Sequence, residues 1–198
     1  ASRSMLPSAL VVTTLLMQQT LAVTVDNLRT EYHASPLGLD KPAPRFGWEL
    51  QAGAGRRAVL QQSYRILVGQ NGAADGSVWD SKVVASNSSF QVRYNGPPLA
   101  SGGVYSWRVE VVAVATNAEA QRSSSAKGQF SVGLLTPAAW GGAQFIGTPK
   151  PDKLACPWLR KSFTLPSGAA TSDALLSVGS LGFHEATLNG HPVSEGVL

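Results

Sequence analysis

Two glutamates, Glu185 and Glu195, stand on either side of Asn189-Gly190, the strongest short signal for a hairpin turn. A hairpin there would bring their carboxyl groups toward each other, and a pair of carboxyls roughly 5 to 10 Å apart is what glycoside hydrolysis uses as acid and base or nucleophile. Exposed strand and loop glutamates are the commoner outcome of such a spacing. None of the twelve acidic residues is marked as a pair by its surroundings, so no catalytic residue is assigned. The strained G-x-S-x-G elbow of a serine hydrolase does not occur. His33, His184 and His191 do not fall at metal-ligand spacing. The single Cys156 permits neither an internal disulfide nor a cysteine-rich zinc site. Neither a cofactor nor a metal is expected.

Tryptophan offers a different chemistry. An exposed indole stacks on the apolar face of a pyranose while polar neighbours fix its hydroxyls. Trp79, Trp140 and Trp158 stand at loop-like or strand-edge positions and are the candidate sugar-binding residues, against the alternative of core or interdomain packing. Trp48 and Trp107 lie within alternating runs and belong to the core. Asp80 and Asn95, near turns, are expected to bond local backbone. Asn87-Ser88-Ser89 is an N-glycosylation sequon, which makes Asn87 a candidate modification site if a eukaryotic secretory pathway made the chain.

The elements that must position these residues are strands. Of 198 residues 14% are charged and 43% hydrophobic, with twenty Gly and twelve Pro, the composition of a turn-rich, all-β, soluble chain. From Val23 onward no 3.6-residue period persists. Phe46, Trp48 and Leu50 alternate with Gly47 and Glu49, Tyr64, Ile66 and Val68 with Arg65 and Leu67, and Phe90, Val92 and Tyr94 with Gln91 and Arg93; each triplet predicts one buried face. Val104 to Ala115 reads as a central strand with Tyr105, Trp107, Val109 and Val111 inward and Ser106, Arg108 and Glu110 outward. Phe130 and Val132 close the series. Gly- and Pro-rich turns separate the runs, and this spacing fits an immunoglobulin or fibronectin type III β-sandwich over residues 23–133. A linker over 134–157 follows, then strand candidates Trp158 to Leu165, Ala174 to Val178 and Phe183 to Leu188, the start of a second β-domain in 158–198. These strands are too few to close a sandwich, so the second unit is expected to be cut off or completed by something else, with open edges through which the chain could self-associate.

The remaining expectations concern location. Arg3, the apolar run Leu6 to Met17 and Thr20-Leu21-Ala22 form a signal-peptide-like segment over residues 1–22, and export to the extracellular space is expected. The run falls short of the about 20 apolar residues of a membrane span. If retained, it is β-prone and could add as a strand to a neighbour's open edge. The net charge of +4 is scattered, with only Arg56-Arg57 and Arg160-Lys161 adjacent, so no nucleic-acid partner is expected.

Several blocks carry a family resemblance. Asn27 to Tyr32 (NLRTEY), Gly38 to Trp48 (GLDKPAPRFGW), Gln61 to Val68 (QQSYRILV), Trp79-Asp80-Ser81, Gly96 to Leu99 (GPPL) and Tyr105 to Val109 (YSWRV) resemble, in wording and order, the N-terminal region of bacterial-type α-L-rhamnosidases. Gly133-Leu134-Leu135, Trp140, Pro157 to Leu165 (PWLRKSFTL) and Leu181 to Gly190 (LGFHEATLNG) resemble the start of that family's next β-domain. The resemblance implies a fibronectin-type III-like sandwich followed by an incomplete jelly-roll-like domain. It assigns catalysis to a later α/α-barrel whose acid and base act with inversion on terminal α-L-rhamnose. The chain would then be a non-catalytic N-terminal portion, with the barrel as its partner and rhamnose-containing glycans as the parent's substrates. A carbohydrate-binding or extracellular structural module is the alternative. Two departures stand out: Lys82 where the family usually has Gly, and the polar Ser123 to Lys127 where it has an aromatic.

Overall fold

The computed structural model describes residues 23–53, 58–115, 119–147, 157–168 and 174–193. The signal-like segment 1–22, Arg56-Arg57, Cys156 and Glu195 lie outside the described residues.

Eight strands build the sandwich: β1 Thr24–Thr30, β2 Arg45–Gln51, β3 Leu60–Gln70, β4 Trp79–Asp80, β5 Val92–Arg93, β6 Val104–Val114, β7 Gln121–Ser124 and β8 Gly128–Ser131. One sheet runs β1-β2-β5, and the other runs β4-β3-β6 with β7 and β8 sharing the far edge of β6. Every ladder is antiparallel, the longest running from Leu60 opposite Val114 to Gln70 opposite Tyr105. The polar stretch Ser123 to Lys127 is where this edge strand breaks. Ser125 bridges the break, its Oγ accepting from the Val109 amide and its own amide donating to the Val109 carbonyl.

Period-two alternation selects the core. Phe46 and Trp48 on β2 face Ile66 and Val68 on β3, Tyr105, Trp107, Val109 and Val111 on β6, and Phe130 on β8, all buried. Phe46 sits at the centre, its ring 4.4 Å from Trp107 and 6.0 Å from Phe130. Aromatic pairs at such separations add about 0.5–1.5 kcal/mol each beyond the area they bury. Trp48 Nε1 donates to buried Gln61 Oε1 at 2.9 Å, and Gln61 Nε2 donates to the carbonyls of Ser86 and Ser88. That buried amide ties the 81–90 loop to the core. A Cβ at residue 128 would lie 2.7 Å from Trp107 Nε1, so only glycine fits beside the central indole.

Three inferred placements differ from observation: Leu67, on the face opposite Ile66 and Val68, is buried as well, and the others are Phe90 and Ser106. Phe90 was expected inside with Val92 and Tyr94, yet it is 66% exposed. Gln91 adopts φ 53°, and this left-handed residue interrupts the alternation so that strand pairing begins at Val92. Ser106, expected on the outer face, is buried, with Gly69 and Gln129 opposite it on the two flanking strands.

Beyond Gly133 the chain makes a short 3-10 turn, Pro137–Trp140, capped by Thr136 and ended by left-handed Gly141. Trp158 to Leu165 and Ala174 to Val178 form no ladder among the described residues, and of Phe183 to Leu188 only Thr187–Leu188 (β9) pairs, with His191–Pro192 (β10). The Asn189-Gly190 turn forms with positive φ at both positions, the geometry of a tight hairpin. A strand pattern without a neighbour to receive its hydrogen bonds stays unpaired, and a lone hairpin is marginal in water.

Candidate functional site

Most of the acidic residues of the sandwich, Asp26, Glu31, Glu49, Asp75, Asp80 and Glu110, are engaged in ion pairs and local bonds. Glu31 holds Arg45 through both carboxylate oxygens, at 2.6 Å to Nη2, and also accepts the Arg45 backbone amide. The Arg45 hydrogen bonds hold its carboxyl below the usual carboxylate range. Asp80 is bound by Arg65 Nε and Nη2, each at 2.9 Å, and by Lys82 Nζ at 2.7 Å. These partners, Arg65 first, drive its pKa well below the ordinary value of 3.8. Asp80 Oδ1 also accepts the Lys82 amide, the local backbone bond its position near a turn led us to expect. Lys82 itself has φ 57°, the conformation that glycine adopts without penalty. Glu185 is exposed, and its approach to Glu195 lies outside the described residues.

Ser180 Oγ lies 2.9 Å from His184 Nδ1, a pairing that the sequence reading did not anticipate. The same hydroxyl donates to the Gly182 carbonyl at 2.6 Å. Among the described residues no three His, Cys, Asp or Glu converge as metal ligands, and no helix is long and apolar enough to cross a membrane.

The three candidate tryptophans occupy different settings. Trp79, on edge strand β4, is half-buried and meets Tyr94 edge-on at 4.8 Å. Tyr94 donates its hydroxyl to the Pro97 carbonyl, and burial pushes its pKa up to about 12. Trp140 ends the 3-10 turn at 37% exposure, and Trp158 is 99% exposed. Asn87 is exposed on the loop that Gln61 anchors.

A cleft on the outer face of β1 and β2 went unnoticed in the sequence. It holds about 130 Å³ and is lined by Asn27, Arg29, Glu31, Tyr32, Glu49 and Phe90, among others, and by none of the three candidate tryptophans. Tyr32, 46% exposed, tilts against Phe90 with ring centroids 5.8 Å apart, and the Arg45 guanidinium covers the Tyr32 ring at 5.2 Å. Phe90 lies over Gly47 on the outward face of β2, within ordinary van der Waals reach of a Cβ at that position.

Comparison with known proteins fits this architecture. The α-L-rhamnosidase of Streptomyces avermitilis is 36% identical over 134 residues, covering 66% of this chain and 12% of the relative. The crystal structure of Streptomyces avermitilis α-L-rhamnosidase complexed with L-rhamnose superposes with a TM-score of 0.53 at 36% identity, over 60% of this chain and 11% of that one. The α-L-rhamnosidase of Formosa agariphila is 26% identical over 201 aligned positions, covering 87% of this chain and 20% of the relative. The chain thus spans 12% and 20% of the two curated relatives. Residues 25–136, which include all eight sandwich strands but the first residue of β1, match the family described as Rha78A-like, N-terminal immunoglobulin domain. The chain belongs to that family.

Proposed function

We propose that this chain is the non-catalytic N-terminal β-domain portion of an exported α-L-rhamnosidase-like glycoside hydrolase, and that its sandwich supports and orients a catalytic domain elsewhere in the whole protein. The observation that carries this reading is the match of residues 25–136 to an N-terminal immunoglobulin domain of Rha78A-like proteins. The small share of each relative that the chain spans supports it, because most of each relative lies beyond the matched region. So does the state of the sandwich acids. Glu31 and Asp80 are paired with cations and kept ionised, whereas a glycosidase acid needs a carboxyl whose pKa is raised so that it can donate its proton. Export rests on the apolar pattern of residues 1–22. In this reading the catalytic barrel is the partner, and release of terminal α-L-rhamnose from glycosides is the activity of the whole protein.

The test is turnover. The chain incubated with an aryl α-L-rhamnoside is expected to release no aglycone above the uncatalysed rate. Release that disappears in Glu185→Gln would overturn the non-catalytic reading.

A further inference from the structure

The cleft on the outer face of β1 and β2 has two kinds of wall. One is aromatic: Phe90 and Tyr32 are both substantially exposed, at positions where an all-polar surface would cost nothing. The other is polar and balanced in charge, with Arg29 and Arg45 against Glu31 and Glu49. Glu31 and Arg45 satisfy each other. Asn27 Nδ2 donates to Glu49 Oε1, and Arg29 uses Nη1 on the Tyr32 carbonyl. Glu49 Oε2 and the other Arg29 nitrogens make no hydrogen bond among the described residues, and both residues line the cleft. Such a site has no net charge to attract an ion. It offers a stacking surface beside both acceptors and donors, which suits a neutral ring with an apolar face and a hydroxylated rim. At about 130 Å³ it lies below the roughly 300 Å³ of sites for drug-sized ligands, so it suits a single ring.

Backbone strain points to the same place. Of the eight described non-glycine residues with positive φ, four line this cleft: Asn27, Glu31, Tyr32 and Gln91. Strained residues of this kind persist where the surroundings hold them and gather at ligand clamps.

We propose that the Phe90 and Tyr32 rings, with Arg29, Asn27 and Glu49, form a subsite for one neutral pyranose ring on the outer face of the β1-β2-β5 sheet. This goes beyond the accessory reading and can fail without it, because binding is read separately from turnover. The experiment follows the amide spectrum of the chain during titration with methyl α-L-rhamnopyranoside and, separately, methyl β-D-glucopyranoside. At least one probe is expected to shift the amides of Tyr32, Gly47, Phe90 and Gln91 with a dissociation constant on the order of 1 mM. Phe90→Ala, which removes an exposed side chain, is expected to weaken binding at least tenfold. Arg29→Gln weakens it by a smaller factor, and Trp140→Ala leaves it unchanged. The proposal is overturned if neither probe shifts these amides, if Phe90→Ala and Arg29→Gln bind as tightly as the parent chain, or if the shifts centre on Trp140 or Trp158.

Discussion

The sandwich and the stretch from Trp158 to Val193 are written in similar patterns, short apolar runs between Gly, Pro and Asn, yet they differ in outcome. In the first, Phe46 and Trp48 meet Trp107 and Phe130 across two sheets, and the core is buried. In the second, Trp158, Leu181 and Phe183 are exposed, and the only ladder among the described residues is the two-residue hairpin of β9 and β10. Alternation says which side chains would share a face. It becomes structure only where another strand accepts the backbone bonds and another sheet covers the face. The downstream stretch has the first ingredient without the second. Its exposed apolar residues are far from the singly scattered ones of an ordinary surface.

The largest expected effect breaks the comparison at its centre. Trp107→Ala removes the indole that packs 4.4 Å from Phe46 and should cost about 3–5 kcal/mol. Against a total stability of about 5–15 kcal/mol, that leaves the sandwich marginal in urea unfolding. Trp158→Ala, the same substitution in the other region, should change stability by less than about 0.5 kcal/mol.

A smaller effect sharpens the account of the sandwich itself. Lys82 holds φ 57°, and its Nζ pairs with Asp80 from a side chain that is mostly solvated. Relief of the left-handed strain should outweigh both a surface ion pair and the added freedom of glycine in the unfolded chain. Lys82→Gly should therefore raise stability by about 0.5 kcal/mol, read as a higher urea midpoint at unchanged slope. A lower midpoint would mean that the Lys82 to Asp80 contact matters more than the backbone.

The fold was legible because it rests on period-two burial: the faces of β2, β3 and β6 follow from Phe46, Ile66 and Trp107 and their neighbours two residues away. Lys82 was legible as a departure from the pattern that the sequence resembles, and its φ of 57° is a conformation that glycine adopts without penalty. The cleft was not legible. It depends on Gln91 turning left-handed and sending Phe90 outward, and on Glu31 reaching Arg45 across a long loop; neither leaves a pattern in the sequence. The downstream strand candidates form no ladder beyond β9 and β10 among the described residues, and hydrophobic alternation carries no information about whether a partner strand is at hand.

Native-state hydrogen exchange tests the central claim most directly, that the described residues from 23 to 136 form a self-sufficient sandwich while those after Pro157 have no core of their own. The account predicts that the amides of Ile66, Val68, Trp107 and Val109 exchange only with global unfolding, while those of Trp158 to Leu165 and Ala174 to Val178 exchange close to the unprotected rate. Comparable protection across Trp158 to Leu165 would contradict it.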